Sequence, residues 1–156
     1  MFFLRRMCYR CAACAFTLVM SVSARAAQID VVEINDPITP VVAEYIIKSI
    51  NESEADQARC LIIQLDTPGG LDLAMRDIIK KILSSEVPVI VYVAPSGARA
   101  ASAGAIITLA AHVAAMSPGT NIGAAHPVSI GLGEQNKEMS SKAENDSAAY
   151  AESIAE

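Results

Sequence analysis

Ser102 has the surroundings of a reactive residue in this 156-residue chain. It sits in Ala98-Arg99-Ala100-Ala101-Ser102-Ala103-Gly104, a sleeve of very small side chains at the expected start of a helix. The apolar run Val89-Ile90-Val91-Tyr92-Val93, which reads as a buried strand, comes just before it. A helix N-terminus leaves N–H groups unpaired and carries the positive end of the helix dipole, so it favours a developing anion. Small neighbours let another backbone come close. Such a serine can attack a carbonyl, or it can simply ease helix packing. Attack needs a base beside the hydroxyl.

Three residues are candidates for that base. His112 lies at the far end of the same predicted helix, about 15 Å away at the α-helical rise, and is out of reach. His126 and Lys142 lie 24 and 40 residues beyond Ser102, and the chain can return either to it. A lysine serves as base only where burial lowers its pKa towards neutrality. In solvent, Lys142 is an ordinary helix-start lysine.

A second chemical feature is Asp66-Thr67-Pro68-Gly69-Gly70, set between a strand run and a helical run. Adjacent glycines reach conformations closed to other residues and leave their N–H groups uncovered. Gly69 and Gly70 can therefore hold an oxyanion, or merely make a tight strand-to-helix turn. The glycine spacing and the Lys-Ser/Thr pair of a phosphate loop are missing.

The elements around these residues alternate. Strands are predicted at Ile29 to Ile34, Cys60 to Leu65, Pro88 to Ala94 and Val113 to Met116. Helices are predicted over Val41 to Ile50, Leu71 to Leu83, Ser102 to about His112 and Lys142 to Ile154. Ile130 to Ser141 reads as a Gly-rich, polar, mobile loop. Alternation predicts an α/β fold with a largely parallel sheet, and the second strand is apolar enough to be covered on both sides.

The first 26 residues read as an export signal. Arg5, Arg6 and Arg10 precede the 12-residue apolar run Cys11 to Val22, and Ala24-Arg25-Ala26 offers a cleavage site. The run is shorter than the roughly 20 residues of a membrane span, although an uncleaved anchor is the alternative. Removing the signal takes four arginines with it and leaves 130 residues with eight basic and 17 acidic side chains, a net charge of −9. That balance argues against nucleic acid or anionic lipid as a partner. Cys60 alone remains of the four cysteines, which predicts a buried, unpaired thiol. The chain stops within its last predicted helix, which reads as a C-terminally truncated domain over residues 27–156.

Several stretches together resemble the NfeD family, membrane-bound serine proteases of the Clp protease/crotonase-like fold. They are Leu65-Asp66-Thr67-Pro68-Gly69-Gly70, Val89 to Val93, Gly97 to Gly104, and Met116-Ser117-Pro118-Gly119-Thr120-Asn121-Ile122-Gly123-Ala124-Ala125-His126-Pro127. The resemblance covers about Ile29 to Glu156. It implies a serine endopeptidase with a Ser–Lys dyad: Ser102 as nucleophile, Lys142 as base, and the Gly69-Gly70 backbone as oxyanion hole. It also implies apolar peptide substrates, notably the hydrophobic tail of a stomatin-like membrane protein, a homodimer, and no metal or cofactor. With export, it implies the periplasm or the outer face of the inner membrane. Clp proteases place a histidine at a similar distance beyond the serine, so His126 stays open as the rival base. An inactive truncated scaffold that binds a membrane partner through the same cleft is the alternative function. A crotonase-like acyl-thioester enzyme is disfavoured by export, and signal peptide peptidase A, which also uses Ser and Lys on this fold, matches the Pro118 to Gly123 text less well.

Overall fold

The computed structural model describes residues 27–123 and 137–155, and of residues 137–144 the backbone only. The predicted export segment and His126 lie outside the described residues.

Four strands form an all-parallel sheet in the order β1-β2-β3-β5: β1 (Ile29–Ile34), β2 (Cys60–Leu65), β3 (Val89–Val93) and β5 (Val113–Met116). Two three-residue strands, β4 (Arg99–Ala101) and β6 (Asn121–Gly123), form a second parallel pair. Helices α1 (Pro40–Ala55), α2 (Asp72–Leu83), α3 (Ala103–Leu109) and α4 (Lys137–Ala155) complete the α/β fold. Parallel neighbours require crossover connections, and α1 and α2 supply the first two.

Local chemistry sets the helix ends. Thr39 caps α1 by accepting the Val42 N–H at 3.3 Å, and Pro40 opens it where a missing N–H costs nothing. Gln57, at φ 55°, closes α1 with Ala58 N–H donating to Ser53 C=O and Gln57 N–H to Glu54 C=O. This is the left-handed C-terminal cap. Polar Asn51 to Ala55 therefore continues the helix beyond the predicted Ile50, and Ser53 is buried because its hydroxyl donates to Asp30 at 2.6 Å.

One face of the sheet makes the core. Leu61, Ile63, Leu65, Val89, Val91 and Val93 are fully buried against Ile46, Ile50, Ile78, Ile79, Ile82 and Ile107 from three helices. Each such side chain contributes about 1.5–3 kcal/mol by leaving water. Tyr150 and Ile154 of α4 pack on the edge of this cluster. The other face differs from the predicted two-sided cover. Ile62, Gln64, Ile90 and Tyr92 are half-buried, and Val31 and Val113 are exposed. The described helices all add to the first face. Cys60 points to the second face and is half-buried rather than buried.

Candidate active site

The carboxyl ends of parallel strands are where open α/β sheets bind ligands, and both chemical motifs lie there. β2 ends at Leu65 and runs into Asp66 to Gly70; β3 ends at Val93 and runs through a cis Ala94–Pro95 bond into β4 and Ser102. The two segments pair directly. Thr67 N–H donates to Arg99 C=O at 2.7 Å, and Ala101 N–H to Thr67 C=O at 3.1 Å. Asp66 adds a side-chain bond by accepting the Arg99 N–H at 3.0 Å.

Ser102 stands at the junction of β4 and α3 with φ 52° and ψ −116°. A non-glycine residue held there is strained by about 1–3 kcal/mol, and a sharp strand-to-helix turn of this kind is how a nucleophile elbow exposes its serine. The surroundings hold the strain. Ser102 N–H donates to Gly123 C=O at 2.8 Å, and its own C=O accepts from Ala105 N–H at 2.9 Å. Its side chain is half-buried, and its hydroxyl has no hydrogen-bond partner among the described residues. Two positions on either side of the serine, the small residues are structural. A Cβ on Gly104 would stand 2.5 Å from Thr67 Cγ2 and 3.5 Å from Ala100 Cβ. The helix is shorter than predicted, ending at Leu109, because the chain turns at Ala110 to start β5.

Gly69 lies against Ser102, and Gly70 lies against Ile38. A Cβ on Gly69 would come within 2.7 Å of Ser102 Cβ, and one on Gly70 within 2.2 Å of Ile38 C=O oxygen. Ile38 N–H donates to Gly69 C=O at 2.8 Å, and Leu71 N–H to Ile38 C=O at 2.9 Å. In this extended pairing the Gly70 N–H points away from Ile38, and it has no acceptor among the described residues. The Gly69 N–H donates to Thr67 Oγ1 at 3.2 Å. Of the two predicted glycine donors, only Gly70 is therefore left uncommitted. Ala103 N–H, in the first turn of α3, also has no acceptor among the described residues.

His112 is tied to the opposite end of the sheet, as its distance from Ser102 predicts. Its Nδ1 accepts the Val89 N–H at 3.1 Å, and its own N–H donates to Val89 C=O. Lys142 lies in α4, whose helix begins at Lys137 rather than at Lys142, so Lys137 to Ser141 is helical and not loop. The backbone register puts Lys142 one turn before Asp146 and two before Tyr150. Helix α4 packs on α3, the helix that follows Ser102.

Arg76 of α2 fastens the far part of α4. Its guanidinium bonds Asp72 at 2.8 Å, reaches Asp146, and stacks 4.2 Å above the Tyr150 ring. Asp72, first by its hydrogen bond, and then Asp146 raise the Arg76 pKa; burial pushes the Tyr150 hydroxyl up. Among the described residues there is no cluster of metal-ligating side chains and no helix long and apolar enough to cross a membrane.

Sequence reasoning missed β4, the strain at Ser102 and the central place of Thr67. The small residues on both sides of Ser102 were a signal for the elbow, because only small side chains let strand, turn and helix close so tightly.

A parallel sheet carrying a serine elbow beside a glycine turn defines a protein of the Clp protease/crotonase-like fold. Residues 28–155 match the NfeD1b N-terminal domain, and the chain belongs to that family. It is 42% identical over 128 residues to the membrane-bound protease PH1510 of Pyrococcus horikoshii, a match covering 81% of this chain and 29% of that protein. It is 32% identical over 106 residues to the membrane protein NfeD1b of Bacillus subtilis, covering 68% and 24%. The chain thus spans less than a third of the length of these curated relatives. Two solved structures of the 1510-N membrane-bound stomatin-specific protease are similar. A serine-to-alanine mutant superposes with TM-score 0.74 at 37% identity, covering 84% of this chain and 64% of that one. A lysine-to-alanine mutant in complex with a substrate peptide gives 0.73 at 38% identity, covering 83% and 60%.

Proposed function

We propose that this domain is a serine endopeptidase in which Ser102 is the nucleophile and Lys142 its base. The observation that carries the reading is Ser102 on a strained elbow, with the uncommitted Gly70 N–H on the neighbouring segment. The serine and lysine substitutions in the solved relatives support the pair, since their spacing is close to that of Ser102 and Lys142.

Neutral Lys142 takes the hydroxyl proton as Ser102 Oγ bonds the peptide carbonyl carbon, and the carbonyl electron pair moves to oxygen. The N–H groups of Gly70 and Ala103 hold that oxyanion. The carbonyl re-forms as the C–N bond breaks, and the leaving amine takes the proton from Lys142. Water then attacks the acyl ester by the same route, releasing the carboxyl fragment and restoring Ser102.

The substrate is an apolar peptide segment, such as the hydrophobic tail of a stomatin-like membrane protein. The relative's stated specificity for stomatin supports this. Both curated relatives are named as membrane-bound or membrane proteins, which supports membrane association, and the basic-then-apolar residues 1–26 support placement at the periplasmic side; the homodimer in this reading is the one the family resemblance implies.

The test is cleavage of an apolar peptide library by wild type, Ser102→Ala and Lys142→Ala, with circular dichroism on each. Loss of cleavage in both folded variants supports the dyad. Cleavage retained by Ser102→Ala overturns it.

A further inference from the structure

Thr67 touches both halves of the site, and nothing in the Ser102 chemistry itself uses it. It is fully buried. Its hydroxyl donates to Asp36 C=O at 2.8 Å, with Gly69 C=O a longer alternative at 3.2 Å, and accepts the Gly69 N–H. Its backbone pairs with Arg99 and Ala101 on the strand leading into Ser102. Its methyl rests on the bare Cα of Gly104, just past Ser102. One side chain therefore sets the height of the glycine turn and the seat of the nucleophile helix together.

We propose that Thr67 is the positioning residue of the oxyanion hole. Its hydroxyl takes the Gly69 N–H out of use and, together with the Ile38 N–H on Gly69 C=O, fixes the following peptide, so that the Gly70 N–H is the glycine donor that meets the oxyanion. This rests on Ser102 as nucleophile.

Two consequences separate this role from simple packing. Valine at position 67 keeps the shape and removes the hydroxyl, releasing Gly69 N–H and leaving Asp36 C=O without its donor. The Pro68–Gly69 peptide then loses its side-chain anchor, the Gly70 N–H is oriented through the Ile38 bond to Gly69 C=O alone, and the loss falls on the transition state. Serine keeps the hydroxyl and both its bonds, losing only the methyl contact.

The experiment uses the full chain and two probes: a fluorogenic apolar peptide amide, and an apolar peptide boronic acid, which makes a tetrahedral anionic adduct on a serine. Thr67→Val is expected to lower kcat about 10- to 100-fold, less than the roughly 100- to 1,000-fold cost of removing an oxyanion donor outright because the donor is displaced rather than lost, with KM within about twofold. Boronate affinity falls in parallel, and Thr67→Ser restores most of kcat. A folded Thr67→Val with wild-type kcat overturns the proposal. The wild-type protein gives a readout that no folding failure can spoil. On boronate binding, the Gly70 amide proton is expected to shift downfield while the Gly69 proton holds. A downfield shift at Gly69 in place of Gly70 overturns it. Ser102→Ala, run alongside, separates the two readings: cleavage retained there sinks the nucleophile assignment, whereas loss there with full activity in Thr67→Val sinks only the role of Thr67.

Discussion

Gly69 and Ser102 share a space too narrow for one more carbon. A Cβ on Gly69 would stand 2.7 Å from Ser102 Cβ and 3.3 Å from Ser102 Oγ, and Gly69 itself is at φ +109°. The close approach that brings the glycine turn to the serine depends on this missing side chain.

Gly69→Ala is therefore expected to destabilise the fold by about 2–4 kcal/mol, combining backbone strain with overpacking. It should also remove peptidase turnover. Gly97→Ala is the control. Gly97 is at φ +89°, but nothing lies within 4 Å of an added Cβ, so strain acts alone, at about 1 kcal/mol. Thermal melts of both variants test the difference, and equal losses would show that the contact with Ser102 does not matter.

Ser102 itself trades stability for position. At φ 52° and ψ −116° its backbone suits glycine better than serine. Its hydroxyl has no partner among the described residues, so deleting it should cost little. Ser102→Ala is expected to melt within about 0.5 kcal/mol of wild type. Ser102→Gly should be the more stable of the two, by roughly 0.5–2 kcal/mol, because strain is relieved against a smaller entropic cost. Both should be inactive. An alanine variant more stable than the glycine one would show that the elbow is not strained.

Much of this arrangement was legible in the residues. The runs Ile29 to Ile34, Cys60 to Leu65 and Val89 to Val93 are β-branched and apolar, and each became a parallel strand because such runs bury well in a sheet. Ser102 directly before a helix and glycines directly after a strand were also readable. The strand Arg99–Ala101 was not. Ala100 is fully buried by pairing with Thr67, a tertiary contact with no periodic signature. Nor was the end of α1 readable, since Ser49 and Ser53 are buried through hydrogen bonds to Tyr45 C=O and Asp30. Within the site, Thr67 looks like any turn residue until its hydroxyl partners are known. Leu71 fits the apolar stripe of α2 by spacing, yet at 57% exposure it lies outside the core. It precedes the helix, where the helical period no longer governs direction.

Arg76 should matter more through Tyr150 than through Asp146. Asp146 is 69% exposed, so its ion pair is screened and worth well under 1 kcal/mol. The guanidinium over the Tyr150 ring is better sheltered, and adds about 0.5–1 kcal/mol. Arg76→Ala is expected to cost about 1–2 kcal/mol and to raise hydrogen exchange in α4 around Asp146 to Ile154. Asp146→Asn should do little, and 0.5 M salt should leave most of the Arg76 effect in place. Because α4 carries Lys142, Arg76→Ala should also lower kcat. Unchanged exchange in α4 would show that Arg76 does not hold the helix.

Acid should weaken the joint between α1 and α2 through Glu54. Lys81 donates to Glu54 at 2.7 Å, and the Glu86 N–H does so at 3.1 Å. The Lys81 hydrogen bond is the main cause that holds the Glu54 pKa below its ordinary 4.5, against burial that pushes it up. A carboxylate with a depressed folded pKa binds its proton more readily when unfolded. Its stabilisation is therefore complete above the unfolded value and is lost as pH falls through the folded one. Asp30, lowered by Ser53 and then Gln28 from 3.8, acts in the same direction slightly further into acid. Chemical denaturation between pH 7 and pH 3 should show stability flat above about pH 5 and falling below it. Glu54→Gln should lower stability at pH 7 and flatten that fall. Equal acid slopes in wild type and Glu54→Gln would remove Glu54 from the account and leave the loss to other carboxylates.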